Sequence, residues 1–175
     1  TLSTSVRVVE ERDWRTAASS LVECLLPLAD HAADNDITLC LEMPHLFQLQ
    51  DSVDRSLTLL DMLPHPTLGV TLDSSHWGVI GYDIDAYITE LGPRLKHIHL
   101  RDSAGADTRD FKQTLEMTPG VGVVDFARLA ATLDAAGYSG KCTLELEHRG
   151  DRRPHIAAQF HAASQYLSTH GWTLP

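Results

Sequence analysis

Apolar residues recur along this chain in two alternating rhythms. From Trp14 to Ala33 they come at helical spacing: Trp14, Ala17, Ala18, Leu21, Val22, Leu25, Leu28, Ala29 and Ala32. That spacing predicts an amphipathic helix. Ile37–Met43 is a short apolar run that predicts a strand and contains Glu42 near its end. A helix over Ser52–Leu63, a strand over Thr67–Asp73 and a short helix over Ile84–Leu91 follow. Leu95–Arg101 predicts a third strand. Asp125–Ala136 predicts a helix, with Asp125 as N-cap and Gly137 at the stop. Lys141–Glu147 predicts a fourth strand, and Pro154–Thr169 a last helix, opened by proline and closed before Gly171.

Strands alternating with helices of this length imply βαβ units and a parallel sheet, hence an α/β fold. The long connection Asp102–Val124, with Gly105, Pro119, Gly120 and Gly122, is of a length usually reserved for function.

Side chains alternate faces along a strand. Ile37, Leu39 and Leu41 oppose Thr38, Cys40 and Glu42; Leu68, Val70 and Leu72 oppose Gly69, Thr71 and Asp73. Ile98 and Leu100 oppose His97, His99 and Arg101; Leu144 and Leu146 oppose Thr143, Glu145 and Glu147. One face of each strand is aliphatic and suits helix packing. The other is small or polar and ends in a metal-competent side chain. An open sheet buried on both faces favours apolar residues on both. A barrel interior with its site at the C-terminal rim accounts better for the asymmetry. Carboxylates brought together in a low-dielectric mouth repel, and a divalent cation relieves that repulsion. Oxygen-rich ligands with one imidazole suit Mn²⁺, Mg²⁺, Co²⁺ or Zn²⁺.

Charge narrows the partners. The formal net charge is −10, from 14 Lys+Arg against 24 Asp+Glu, which disfavours nucleic acid. No basic cluster stands out beyond Arg152-Arg153. No run of about 18 apolar residues predicts a membrane span, and Thr1-Leu2-Ser3-Thr4 does not begin a secretory leader. Cys24, Cys40 and Cys142 form no CxxC pair and read as reduced thiols of a cytoplasmic protein.

Five motifs follow one another: Leu39-Cys-Leu-Glu42-Met-Pro, Gly69-Val-Thr-Leu-Asp73-Ser-Ser-His76, His97-Ile-His99-Leu-Arg-Asp102, Pro119-Gly-Val-Gly122-Val-Val-Asp-Phe126, and Gly137-Tyr-Ser-Gly140-Lys-Cys-Thr-Leu-Glu145. In this order they resemble the xylose-isomerase-like barrel superfamily, in its sugar-phosphate isomerase/epimerase and apurinic-endonuclease-like branch. The resemblance covers roughly Trp14 to the C-terminus. It implies that residues 1–175 are one domain, the C-terminal half (last four strands) of a (β/α)8 barrel, with residues 1–13 a connecting segment. A whole barrel needs about 250 residues. The earlier half would then come from a longer chain, a second copy in a homo-oligomer, or a separate chain.

By the same resemblance one divalent cation, Mn²⁺ foremost, is held by Glu42, Asp73, His99 and Glu145. Glu42 and Glu145 double as the acid/base pair, acting on a small keto-sugar or polyol through an enediolate. His76, His45 and Arg101 are the substrate-contact candidates. His97 stands as a core or supporting residue, Glu147 as an alternative ligand, and Trp77 as a pocket wall or core residue. Val121 departs from the charged residue common in this loop among relatives. Asp107-Thr-Arg-Asp110 lacks the histidine the endonuclease branch uses for its metal cluster. The leading expectation is a metal-dependent isomerase or epimerase. The alternatives are a lyase that dehydrates a cyclic polyol or keto acid, and a non-catalytic half-barrel assembly module. Changing Glu42 and Glu145 to Gln separates these: an enzyme loses activity and keeps its fold, while an inert module changes in neither.

Overall fold

The computed structural model describes residues 11–46, 48–106, 117–146 and 155–173. The elements are α1 (Glu11–Asp34), β1 (Leu39–Glu42), α2 (Val53–Asp61), β2 (Leu68–Asp73), α3 (Ser74–Ile80), α4 (Ile84–Leu91), a 3-10 turn (Gly92–Arg94), β3 (Leu95–Leu100), α5 (Phe126–Ala135), β4 (Lys141–Leu144) and α6 (Ile156–Ser168). The fold is α/β, as the alternating pattern predicts. The strand order is β1-β2-β3-β4, so each strand lies beside its neighbour in sequence. Helices carry the chain back between successive strands, as a parallel arrangement requires.

The chain divides into two compact units. The first comprises residues 1–72 and 91–97. Helix α1 turns one stripe inward, burying Trp14, Ala18, Leu25, Ala29 and Ala32 at spacings of three, four and seven. Trp14 Nε1 donates to Leu49 O at 2.7 Å, which satisfies the one polar atom of a buried indole. Strands β1 and β2 pair in parallel, Leu39 with Leu68 through Glu42 with Thr71. Every residue of β2 is buried. Arg94 braces this strand, with Nε and an Nη donating to Leu68 O at 3.0 Å and Leu63 O at 2.8 Å.

The second unit comprises residues 73–90 and 98–175. Helix α3 is capped by Asp73, whose Oδ1 accepts from Ser75 N at 2.7 Å, and it ends at Gly81 in the left-handed region (φ 72°). Asp125 caps α5 by accepting from Arg128 N at 2.9 Å, as expected. Beyond α5, Tyr138 N reaches back to Leu133 O at 2.9 Å, and Gly137 takes φ 67°. The core here holds Val79, Ile84, Tyr87, Ile88, Ile98, Leu100, Phe126, Leu129, Leu133 and Leu167.

Most boundaries fall within a residue or two of the expected ones. Helix α3 is the exception, since no helix is expected between the second strand and Ile84. Ser-Ser-His-Trp-Gly carries no helical apolar period, and the helix is seven residues long. Its start depends on a cap by Asp73, the residue read from the sequence as a metal ligand. Strand β4 ends at Leu144, short of the expected Glu147. Glu147, Asp107–Asp110, Arg152-Arg153 and Pro154 lie outside the described residues. Among the described residues no helix is long and apolar enough to cross a membrane.

Candidate functional site

In the first unit Glu42 closes β1, and β-pairing sets it opposite Thr71. Met43 N donates to Thr71 O at 3.0 Å, so the register holds past the strand's end. The residue is 8% exposed. Gln50 Nε2 donates to Glu42 O at 3.0 Å, fixing the backbone from the following turn. His45 Nε2 stands 3.8 Å from Glu42 Oε1, beyond a cis peptide bond joining Met43 to Pro44. Of the expected residues, Glu42 and His45 are thus together here.

In the second unit Asp73, His99, Arg101 and Glu145 form one cluster. Asp73 ends β2 and is 1% exposed. Its Oδ1 accepts from both Ser75 N and Ser75 Oγ, each at 2.7 Å, and its Oδ2 faces an Arg101 Nη at 3.5 Å. The same guanidinium nitrogen is 3.7 Å from Glu145 Oε1. Glu145 Oε2 lies 2.7 Å from His99 Nδ1. Glu145 N donates to Leu100 O at 3.1 Å, holding the residue beside the end of β3 although β4 has stopped one residue earlier. Burying two carboxylates together is costly, and Arg101 offsets the repulsion between them.

Two supporting residues escape the sequence. Ser74 is fully buried, and its Oγ approaches His99 O (3.1 Å), Arg101 O (2.6 Å) and Arg101 N (3.0 Å). One hydroxyl therefore ties the first residue of α3 to the end of β3. Asp102 is also fully buried. Its Oδ1 accepts from Ser103 N (2.8 Å) and Val124 N (3.0 Å), and its Oδ2 from Gly120 N (3.0 Å) and Gly122 N (2.9 Å). Asp102 is thus occupied by backbone amides, and Arg101 pairs with Asp73 and Glu145. The Gly-x-Gly spacing at 120 and 122, two amides free of crowding side chains, was the available sign of this anchor.

His76, Trp77 and His97 remain. His76 is fully buried in α3, three residues after Asp73. Trp77 Nε1 donates to Tyr82 O at 3.1 Å, and its ring carries the Arg128 guanidinium 6.0 Å above it, so it packs within its own unit. His97 is half-buried on β3, in the first unit.

Residues 4–169 match the family described as the xylose isomerase-like TIM barrel. The chain belongs to that family. Among its relatives is the fructoselysine 3-epimerase of Escherichia coli O157:H7, 28% identical over 141 residues, covering 79% of this chain and 49% of that one. The inosose dehydratase of Geobacillus thermodenitrificans (strain NG80-2) is 27% identical over 176 residues, covering 91% of this chain and 55% of that one. The chain spans about half the length of the curated relatives it matches. The crystal structure of D-psicose 3-epimerase with D-tagatose from Clostridium cellulolyticum H10 superposes with a TM-score of 0.72 at 18% identity, covering 98% of this chain and 61% of that one. That likeness is one of fold. Membership of the xylose isomerase-like barrels bears out the fold family read from the five motifs.

Proposed function

We propose that this chain supplies the metal-holding, acid/base part of a divalent-metal-dependent epimerase or isomerase of a small keto-sugar or polyol. The cluster of Asp73, His99 and Glu145 around Arg101 carries this reading. It gathers two carboxylates and an imidazole in one unit: one Arg101 Nη lies 3.5 Å from Asp73 Oδ2 and 3.7 Å from Glu145 Oε1, and Glu145 Oε2 lies 2.7 Å from His99 Nδ1. That donor set fits a divalent cation of the Mn²⁺, Mg²⁺, Co²⁺ or Zn²⁺ type, with Mn²⁺ put first. The fourth ligand in this reading is Glu42, on the strength of its motif and its place at the end of β1. When bound, the ion supplies Lewis-acid polarisation of the substrate's carbonyl.

The chain's own residues supply the proton handling. Glu145, 26% exposed at its side chain, is the more accessible of the two carboxylates on Arg101 and is assigned a proton-carrying role. Glu42 takes the other. Arg101 restrains the Glu145 carboxylate, so its proposed substrate contact is through an edge not engaged by the carboxylates. His76 and His45 are assigned to substrate hydroxyls. Named relatives that are 3-epimerases support the reaction class. The earlier barrel half, on the same chain, a second copy or another chain, completes the pocket. The free cysteines support a reducing, cytoplasmic setting.

A lyase is the second reading. It is favoured by the inosose dehydratase, whose likeness covers 91% of this chain. Both readings start with loss of a proton next to a carbonyl, so one experiment addresses them. Protein loaded with Mn²⁺ is incubated in D₂O with ketoses and with keto-polyols, and the products are read by NMR. Deuterium entering beside the carbonyl with inversion supports the epimerase, and loss of water supports the lyase. Absence of exchange on every substrate, or exchange that survives Glu145→Gln, overturns both.

A further inference from the structure

Asp102 is where the second unit's loop, β3 and α3 meet. Its four bonds bring together amides from both ends of the long connection after β3: Ser103 on one side, Gly120, Gly122 and Val124 on the other. Val123 N adds a bond to Ser103 O at 2.8 Å, and Asp102 N one to Met117 O at 3.3 Å. Gly122 lies so close to the carboxylate that an added Cβ would collide with Asp102 and with Ser103 O. A buried carboxylate taking four N–H donors is a strong, directional anchor, since charge-assisted bonds are about twice as strong as neutral ones.

This anchored segment rests on α3. A Cβ added to Gly78 would collide with Ser103 Oγ and come within 3.0 Å of a Val124 methyl and 3.6 Å of a Val123 methyl. Helix α3 begins at Ser74, directly after Asp73, and carries Ser75 and His76, all buried. It is seven residues long, too short to hold itself in place without tertiary support. The residues that abut it at Gly78 are those whose amides Asp102 holds.

We infer that Asp102 is a positioning residue: by fixing Ser103 and Gly120–Val124 against Gly78, it sets the helix that presents His76 beside Asp73. This rests on the proposed function only where it assigns His76 to substrate. The positioning itself is read without turnover.

The experiment is amide hydrogen exchange on the full chain, comparing wild type with Asp102→Asn and Gly78→Ala. Asn keeps the shape but replaces one acceptor oxygen by an NH₂ that faces two amide donors. Exchange in Asp102→Asn is expected to become roughly tenfold faster both in residues 117–124 and in residues 74–80. Faster exchange in the loop with α3 unchanged overturns the inference. If Asp102→Asn loses protection throughout, Gly78→Ala decides. Faster exchange in α3 and the loop together supports the coupling, and faster exchange in α3 alone overturns it. On protein that epimerises a ketose, Asp102→Asn should raise KM about tenfold with a smaller change in kcat, as expected when a substrate contact is displaced. An unchanged KM overturns the assignment of His76 to substrate, while the exchange result decides the positioning. If wild type turns over nothing, the functional reading fails and the exchange result still stands on its own.

Discussion

His99 Nδ1 and Glu145 Oε2 meet at 2.7 Å, joining the end of β3 to the residue after β4. The contact is an ion pair when the imidazole is protonated, and it lacks the alignment of a hydrogen bond. Glu145→Gln keeps the shape and a polar group beside His99 and should change stability by less than about 1 kcal/mol, whereas Glu145→Leu, which leaves the half-buried imidazole facing an apolar side chain, should cost about 1–3 kcal/mol. Urea melts of the two variants check the difference. Equal losses would mean that the contact contributes nothing to the fold.

Arg101 is the positive charge between Asp73 and Glu145. Its side chain is 8% exposed and that of Asp73 is fully buried. Arg101→Met removes the counter-ion and leaves the carboxylates facing each other, at an expected cost of about 3 kcal/mol. Because the account puts a cation among the same carboxylates, Mn²⁺ should restore part of the lost melting temperature. Wild type should gain less from the same ion, since Arg101 already offsets the repulsion.

Asp85 on α4 accepts from the Thr132 hydroxyl and, at 2.8 Å, from an Arg128 Nη on α5. The Thr132 bond first and the Arg128 bond second hold its carboxyl below the ordinary value of 3.8. A depressed carboxyl contributes stability above its unfolded value and loses it as pH falls through the folded one. The Asp85 contribution should therefore be complete at neutral pH and fade only below about pH 3.8. Asp85→Asn should lower the melting temperature slightly at pH 7, with the difference from wild type shrinking toward pH 3. A difference that grows on acidification would contradict this assignment.

Tyr82 stacks edge-on against Tyr87, ring centroids 5.3 Å apart, and its buried hydroxyl has no hydrogen-bond partner among the described residues. Burial, then Tyr87 and Asp73, push the phenol well above its ordinary value of 10.0. Tyr82→Phe removes an unsatisfied polar atom and should raise stability by about 1 kcal/mol in a denaturant melt at pH 7. The raised phenol also makes native protein lose stability as pH climbs above 10.0, where the unfolded chain ionises first. The Phe variant should lose less there. A destabilised Phe variant would show that the hydroxyl has a partner.

The strands and most helices were legible because each needs only a local apolar period. The polar face of each strand was legible too, but choosing His99 over Arg101 and Glu145 over Glu147 took the family motifs, not the alternation. Helix α3 was not legible, because its start is an Asx cap and its body has no apolar stripe. The anchoring role of Asp102 was hidden because its partners are backbone amides, some of them about 20 residues away, and no side chain advertises them. Arg101 was legible as a charge but not in its pairing, which depends on β2, β3 and the residue after β4 being brought together.

In the proposed function Glu42, Asp73, His99 and Glu145 hold one divalent cation. The most direct test is isothermal titration of chelator-treated protein with Mn²⁺, wild type beside Asp73→Asn and Glu145→Gln. About one ion per wild-type chain is expected, with affinity reduced at least about tenfold in each variant, since loss of even a residue supporting a ligand costs that much. Folded wild-type protein that takes up no ion, or variants that bind as tightly as wild type, would contradict it.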